Sequence, residues 1–164
     1  MISADAFKQG MRRLGGAVTI VATGTADKPC GLTATAVTSL SAEPPRLLTC
    51  INRQGQTYEG LQSSLVMSVN VLSADDIELA ARFGGLDGTP EEKRFEKGDW
   101  VASPVGPLYL KSALASFVCK VSQLHISTTH TIAIGDIHDV HLQNDAGQKA
   151  LGYLNGQWTE FSPI

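Results

Sequence analysis

Four histidines, sixteen carboxylates and three cysteines are the groups in this 164-residue chain with acid–base, metal-binding or thiol chemistry to offer. Their spacing restricts each of them. His138 and His141 lie three apart in "HTIAIGDIHDVHL" (130–142), which reads as a strand, so they point to opposite faces and do not chelate one ion. No Glu-x-x-His or His-x-His spacing replaces them, and no metal site is expected. Cys30, Cys50 and Cys119 are scattered, odd in number and free of C-x-x-C spacing, which argues against a disulfide framework and a zinc site and fits a reducing cytoplasm. The chain has no G-x-x-x-x-G-K-[ST], and "GGLDG" (84–88) lacks the strand before it and the helix after it that a dinucleotide fingerprint needs. It has no Gly-x-Ser-x-Gly nucleophile elbow either.

Two stretches remain informative. In a regular strand Asp136 and His138 share a face with Ile132, Ile134 and Val140, which puts two ionisable groups on an apolar stripe. They form either the lip of a binding site, where a histidine contacts a cofactor, or a satisfied Asp–His pair or Gly135 bulge that turns both to water. The second stretch is "CGLTATAVTSLSAEPP" (30–45). It alternates as a strand does, yet its side chains are too small to fill a core. Small residues leave room for a flat ligand against the backbone, with Thr33, Thr35 and Ser39 as hydroxyl donors; tight packing under a helix favours the same residues.

The elements that must position these groups are mostly strands. Ser3 is placed to cap a short helix with Phe7, Met11 and Leu14 on one side, ending at Gly15-Gly16. Short β-branched runs follow at 17–23, 30–45, 46–51 and 65–71, with a helical turn from Thr57 to Leu61. "SADDIELAARFGG" (73–85) carries Ser73 and Asp76 as a capping pair and is the best helix. Residues 86–106 read as a loop, 113–126 and 130–142 as long strands, and Asn155-Gly156 as a hairpin turn. Many strands without βαβ alternation predict a mainly β fold, an antiparallel barrel with peripheral α-helices in a single domain over 1–164. A net charge of −3 without a basic cluster excludes nucleic acid as an expected partner. No run of eighteen apolar residues and no basic, apolar leader occurs, so a soluble, cytoplasmic protein without a membrane partner is expected.

Taken in order, "GLTATAVTSLSAEPPRLLTCIN", "SVNVLS", "RF", "SALASFVCKV", "HTIAIGDIHDV" and "YLNGQW" resemble the flavin reductase-like domain family across nearly the whole chain, from Phe7 to Phe161. The resemblance implies a split β-barrel homodimer that binds FMN or FAD and takes hydride from NADH or NADPH, supplying reduced flavin to a flavin-dependent monooxygenase. It implies that Thr33, Ala34, Thr35, Ala36, Val37 and Ser39 line the ring and phosphate, and that Cys50, Ile51, Asn52 and Arg53 close the same pocket. It implies Thr57 near the phosphates at a helix start, and Phe83, Lys93, Arg94 and Phe95 near the outer parts of the flavin. His130 and His138, the latter with Asp136 beside it, match positions at the nicotinamide. No catalytic side chain is implied, because hydride passes between cofactors held in contact. Two other readings share these residues: a reductase of a corrinoid or metal complex, and a flavin-binding electron carrier without NAD(P)H turnover.

Overall fold

A computed structural model describes residues 1–144 and 147–164 of the chain. The Ser3 hydroxyl accepts from the Ala6 amide at 3.2 Å and starts helix α1 (Ala4–Met11). The helix stops short of Leu14 and buries none of its residues, leaving Phe7 and Met11 55% and 47% exposed.

Among the described residues twelve strands follow: β1 (Gly16–Ala17), β2 (Thr19–Gly24), β3 (Pro29–Ala34), β4 (Val37–Ala42), β5 (Pro45–Asn52), β6 (Val66–Val71), β7 (Trp100–Ala102), β8 (Leu108–Leu110), β9 (Ala115–Ser127), β10 (His130–Leu142), β11 (Ala150–Leu154) and β12 (Gln157–Phe161). Helix α2 (Gln56–Ser64) lies between β5 and β6, and α3 (Ile77–Phe83) follows β6 after a 3₁₀ turn. Seven strands form one antiparallel sheet in the order β3-β2-β6-β9-β10-β5-β4. Its two edges, β3 and β4, are consecutive in the chain and joined only by Thr35 and Ala36. Three Cα steps span at most about 11 Å, so the sheet must curl until its edges nearly meet. No ladder joins β3 to β4 among the described residues. The fold is mainly β as expected, and the sheet from which the expected barrel would be built is curled and open.

The stretch read as one strand over 30–45 thus breaks at Thr35-Ala36, where the chain leaves one edge and joins the other. Inside the curl, Val21, Ile51, Met67 and Val69 are buried together with Tyr58 and Leu61 of α2. A second cluster, including Ile20, Leu72, Phe83 and Leu110, packs beneath α3. Between them sits a buried polar knot. The Asn70 amide donates to Ile20 O and Ser68 Oγ, both at 2.9 Å, and its oxygen accepts from Leu110 N and Ser116 Oγ at 2.8 Å. These bonds fix β8 to β6.

Ser73 and Asp76 form the anticipated capping box, and Gly85, at φ +71°, lies just beyond the end of α3. The region read as loop over 86–106 contains a 3₁₀ segment (Glu91–Glu96) and β7. Long-range contacts organise it, which sequence periodicity does not register. Arg82 donates to Arg94 O, Lys93 O and Thr89 Oγ1, while Phe95 and Trp100 pack on Phe83 at centroid distances of 4.9 and 5.3 Å. Asn155 and Gly156 turn β11 into β12 with positive φ angles of 54° and 78°. Among the described residues no helix is long and apolar enough to cross a membrane.

Candidate functional site

The bend at Thr35-Ala36 is the centre of the candidate site. Val37 N donates to Thr35 O at 3.0 Å and Cys50 N to Ala36 O at 3.1 Å, so the bend is tight and pinned to β5. Gly16 backs it: a Cβ there would lie 3.2 Å from Thr35 Cβ. Thr35 and Ala36 themselves are exposed. Two depressions meet at Thr35 and Tyr153, a groove of about 870 Å³ floored by Val37, Val69 and Phe117, and a hollow of about 200 Å³ bordered by Thr33, Ala34 and Trp158. The groove has the size and apolar lining of a cofactor site. Not every hydroxyl here is free. Thr33 Oγ1 donates to Ala80 O at 2.7 Å and ties β3 to α3, so it acts in the scaffold rather than as a ligand donor.

The second group of residues follows from the β5 pairing. Cys50, Ile51, Asn52 and Arg53 run from the Ala36 contact to the end of β5. The Ile51 side chain is fully buried in the core. Arg53 serves the β9–β10 turn, with its amide donating to Thr129 O and its guanidinium to Thr128 O at 2.9 Å each. Thr57 is buried in the first turn of α2. The open end of that helix holds a carboxylate already: Gln56 N donates to Glu91 Oε2 at 3.0 Å.

Phe83, only 1% exposed, and Phe95 form the floor under β3, both 3.1 Å from where a Gly31 Cβ would stand. Their visible work is packing. Arg94 donates to Gly31 O at 2.9 Å, Lys93 is exposed, and Ser39 sits exposed beside an irregularity in β4.

Of the alternatives open for Asp136 and His138, a hydrogen-bonded Asp–His pair is not formed, and the register with β9 shifts beside Gly135, between it and Ile134. Asp136 accepts from Arg46 Nε at 2.6 Å and from Ser122 Oγ at 3.1 Å. The Arg46 hydrogen bond, supported by Ser122, holds its carboxyl below the usual carboxylate range. The ladder to β5 runs without a break through Asp136, but a register shift between Ile137 and Asp139 leaves His138 as a bulged residue. His138 is exposed and out of the alternation. His130 is exposed at the opposite end of β10, beside Thr129 Oγ1 at 2.8 Å and across from Asn52. Eight residue steps of strand, about 26 Å, separate the two histidines, so a single nicotinamide does not touch both within one chain. His130 lies two residues from Ile132, the partner of Cys50 in register, and so nearer the Ala36 bend.

Sequence reasoning missed Arg46, Glu91 and Tyr153, whose roles arise from pairing across the fold. Only Arg46 left a signal: it opens the run that register places opposite Asp136. Burial pushes the Cys119 thiol up to about 12 and raises that of Cys30, so neither is a thiolate at neutral pH. Among the described residues no cluster of His, Cys, Asp and Glu is grouped to hold a metal ion.

Comparison with known proteins bears on the same span. A protein from Agrobacterium fabrum named FMN reductase (NADH) RutF is 39% identical over 152 residues, covering 93% of this chain and 85% of its own. The 4-hydroxyphenylacetate 3-monooxygenase reductase component of Pseudomonas aeruginosa is 32% identical over 138 residues, covering 84% and 81%. The crystal structure of a flavin reductase domain protein from Arthrobacter sp. FB24 superposes with a TM-score of 0.87 at 25% identity, covering 99% of this chain and 98% of that one. The family model described as flavin reductase like domain matches residues 11–162, from the end of α1 to the end of β12. With the small-residue bend and the curled sheet inside that match, the chain belongs to the flavin reductase like domain family.

Proposed function

We propose that this protein is an NADH-dependent flavin reductase that reduces FMN and delivers the reduced flavin to a flavin-dependent monooxygenase. The observation that carries the reading is the FMN reductase (NADH) from Agrobacterium fabrum, similar over 93% of this chain. The delivery step rests on the similarity to the reductase component of a two-component monooxygenase.

The residues at the bend fit a flat heteroaromatic ring. Thr35 and Ala36 are small and exposed, and the adjoining groove is floored by apolar side chains. A bound flavin supplies the hydride acceptor and NADH the donor, so the protein needs no acid–base pair. What the chain contributes is position. The β3 edge is held by Thr33 on α3 and by Thr19 Oγ1 on Ala34 O at 2.8 Å, so the bend keeps its shape when a ligand approaches. Val37 and Phe117 offer a dry surface beside it.

The same reading takes the curled sheet as the split barrel of the family. It takes Thr35, Ala36, Val37, Ser39, Cys50 and Asn52 as flavin neighbours and His130 as the nearer nicotinamide contact. It also takes the protein as a cytoplasmic homodimer. Leu48, Ile132 and Ile134 form a half-buried apolar row on the outer sheet face, which a second copy would cover. The test is steady-state NADH oxidation with added FMN. Saturation in both substrates, with negligible turnover in the absence of flavin, is the expected result; no dependence on FMN would overturn the reading.

A further inference from the structure

The chain is acidic overall, with 13 basic and 16 acidic residues, yet the 870 Å³ groove beside the Thr35-Ala36 bend reverses that balance. Two cations, Lys8 and Arg12, line it, and no Asp or Glu does. Both belong to the N-terminal helical segment, Lys8 within α1 and Arg12 at its C-cap. Spaced i, i+4, they share a face with about 6 Å of rise between them. Neither side chain has a hydrogen bond or an ion pair among the described residues. Asp5, the acid of the helix's first turn, does not line the groove.

Two like charges at this spacing repel each other, a small local cost to the helix. The helix dipole favours cations at this end, which accounts for charge there but not for its facing an apolar groove without a counter-ion. The position of the helix is also fixed. Asn155 N donates to Arg12 O at 2.8 Å, so the β11–β12 turn holds the end of the segment against the mouth of the groove. An apolar floor, a small-residue edge and two unpaired cations on the facing wall match an anionic nucleotide, with its ring on the floor and its phosphate on the wall.

We infer that Lys8 and Arg12 are the phosphate-binding residues of this groove. The inference rests on the reductase reading, which supplies two ligands with that chemistry, the FMN phosphate and the NADH pyrophosphate. The α1 segment is thereby a wall of the binding site as well as an N-terminal appendage to the sheet.

The test is equilibrium binding of FMN, riboflavin and NADH, each alone, to wild type and to the Lys8→Gln/Arg12→Gln double variant, at two salt concentrations. Two exposed charged contacts are worth roughly tenfold in Kd. If the flavin phosphate is the ligand, the variant binds FMN roughly tenfold more weakly, binds riboflavin as wild type does, and loses the salt dependence of FMN binding. If the pyrophosphate is the ligand, the same loss falls on NADH and spares both flavins. The charge-preserving Lys8→Arg/Arg12→Lys variant restores either pattern. Unchanged Kd for both FMN and NADH overturns the inference while leaving the reductase reading intact. So does an equal weakening of riboflavin and FMN accompanied by a fall in sedimenting mass, which would make the groove a contact between copies. Wild-type protein that binds none of the three overturns both.

Discussion

Replacing Thr35 with leucine separates a binding surface from a packing surface. The side chain is exposed where the groove and the hollow meet, so its replacement moves the branch point from Cβ to Cγ and reaches one bond further into open space. Little else is lost: its hydroxyl makes no hydrogen bond among the described residues, and its backbone bond to Val37 is kept. An exposed substitution of this kind changes stability by about 0.5 kcal/mol or less, which is about 2 °C in Tm for a chain of this size. A ring lying on the bend needs carbon contacts near 3.5–4.0 Å, and leucine would occupy part of that layer. Overpacking of about 1–3 kcal/mol then weakens flavin binding by roughly 5- to 150-fold. Flavin fluorescence titration and a thermal melt on the same preparation give both numbers. Parallel losses in Tm and affinity would show that the small residues serve the packing against Gly16, and an unchanged Kd would show that flavin does not lie on the bend.

Asn70→Ala strands the buried Leu110 amide and Ile20 carbonyl partners of the polar knot, so it lowers stability by about 3 kcal/mol, read as a lower denaturation midpoint with an unchanged slope. His130→Ala raises KM for NADH about two- to tenfold with flavin affinity kept, and His138→Ala changes it less if the site is built within one chain; the reverse ranking places a second copy's β10 at the nicotinamide. Asp136→Asn removes an ionised carboxylate whose folded pKa lies below its unfolded value of about 3.9, so wild type is the more stable above about pH 5 and the difference fades as pH falls through the folded pKa. Melts across that range, with a constant difference at every pH, would reject the Arg46–Asp136 linkage.

Local chemistry made much of this fold legible. The capping box at Ser73 and Asp76, the Asn155-Gly156 turn and the span of β10 at 130–142 all appear where propensity and spacing put them. What was not legible depends on pairing across the sheet. Small residues over 30–45 pointed to a ligand surface but not to the break at Thr35-Ala36, which exists because that segment crosses between the sheet edges. Asp136 and His138 share a face only in a regular strand; β10 instead bulges at His138, and Arg46, ninety positions away, takes the carboxylate. Phe83 and Phe95 carry no sign in their neighbours that they face the core, since the loop that buries them is ordered by Arg82. The two cations of α1 were likewise invisible as a pair facing a cavity until the β11–β12 turn set the helix beside the bend.

The most direct measurement is anaerobic mixing of the purified protein with FMN and NADH, following flavin absorbance. A flavin reductase bleaches many equivalents of FMN per protein molecule at a rate that saturates with NADH, and the rate without protein is negligible by comparison. Protein that binds FMN yet leaves it oxidised at every NADH concentration would contradict the assignment and make the chain a flavin carrier.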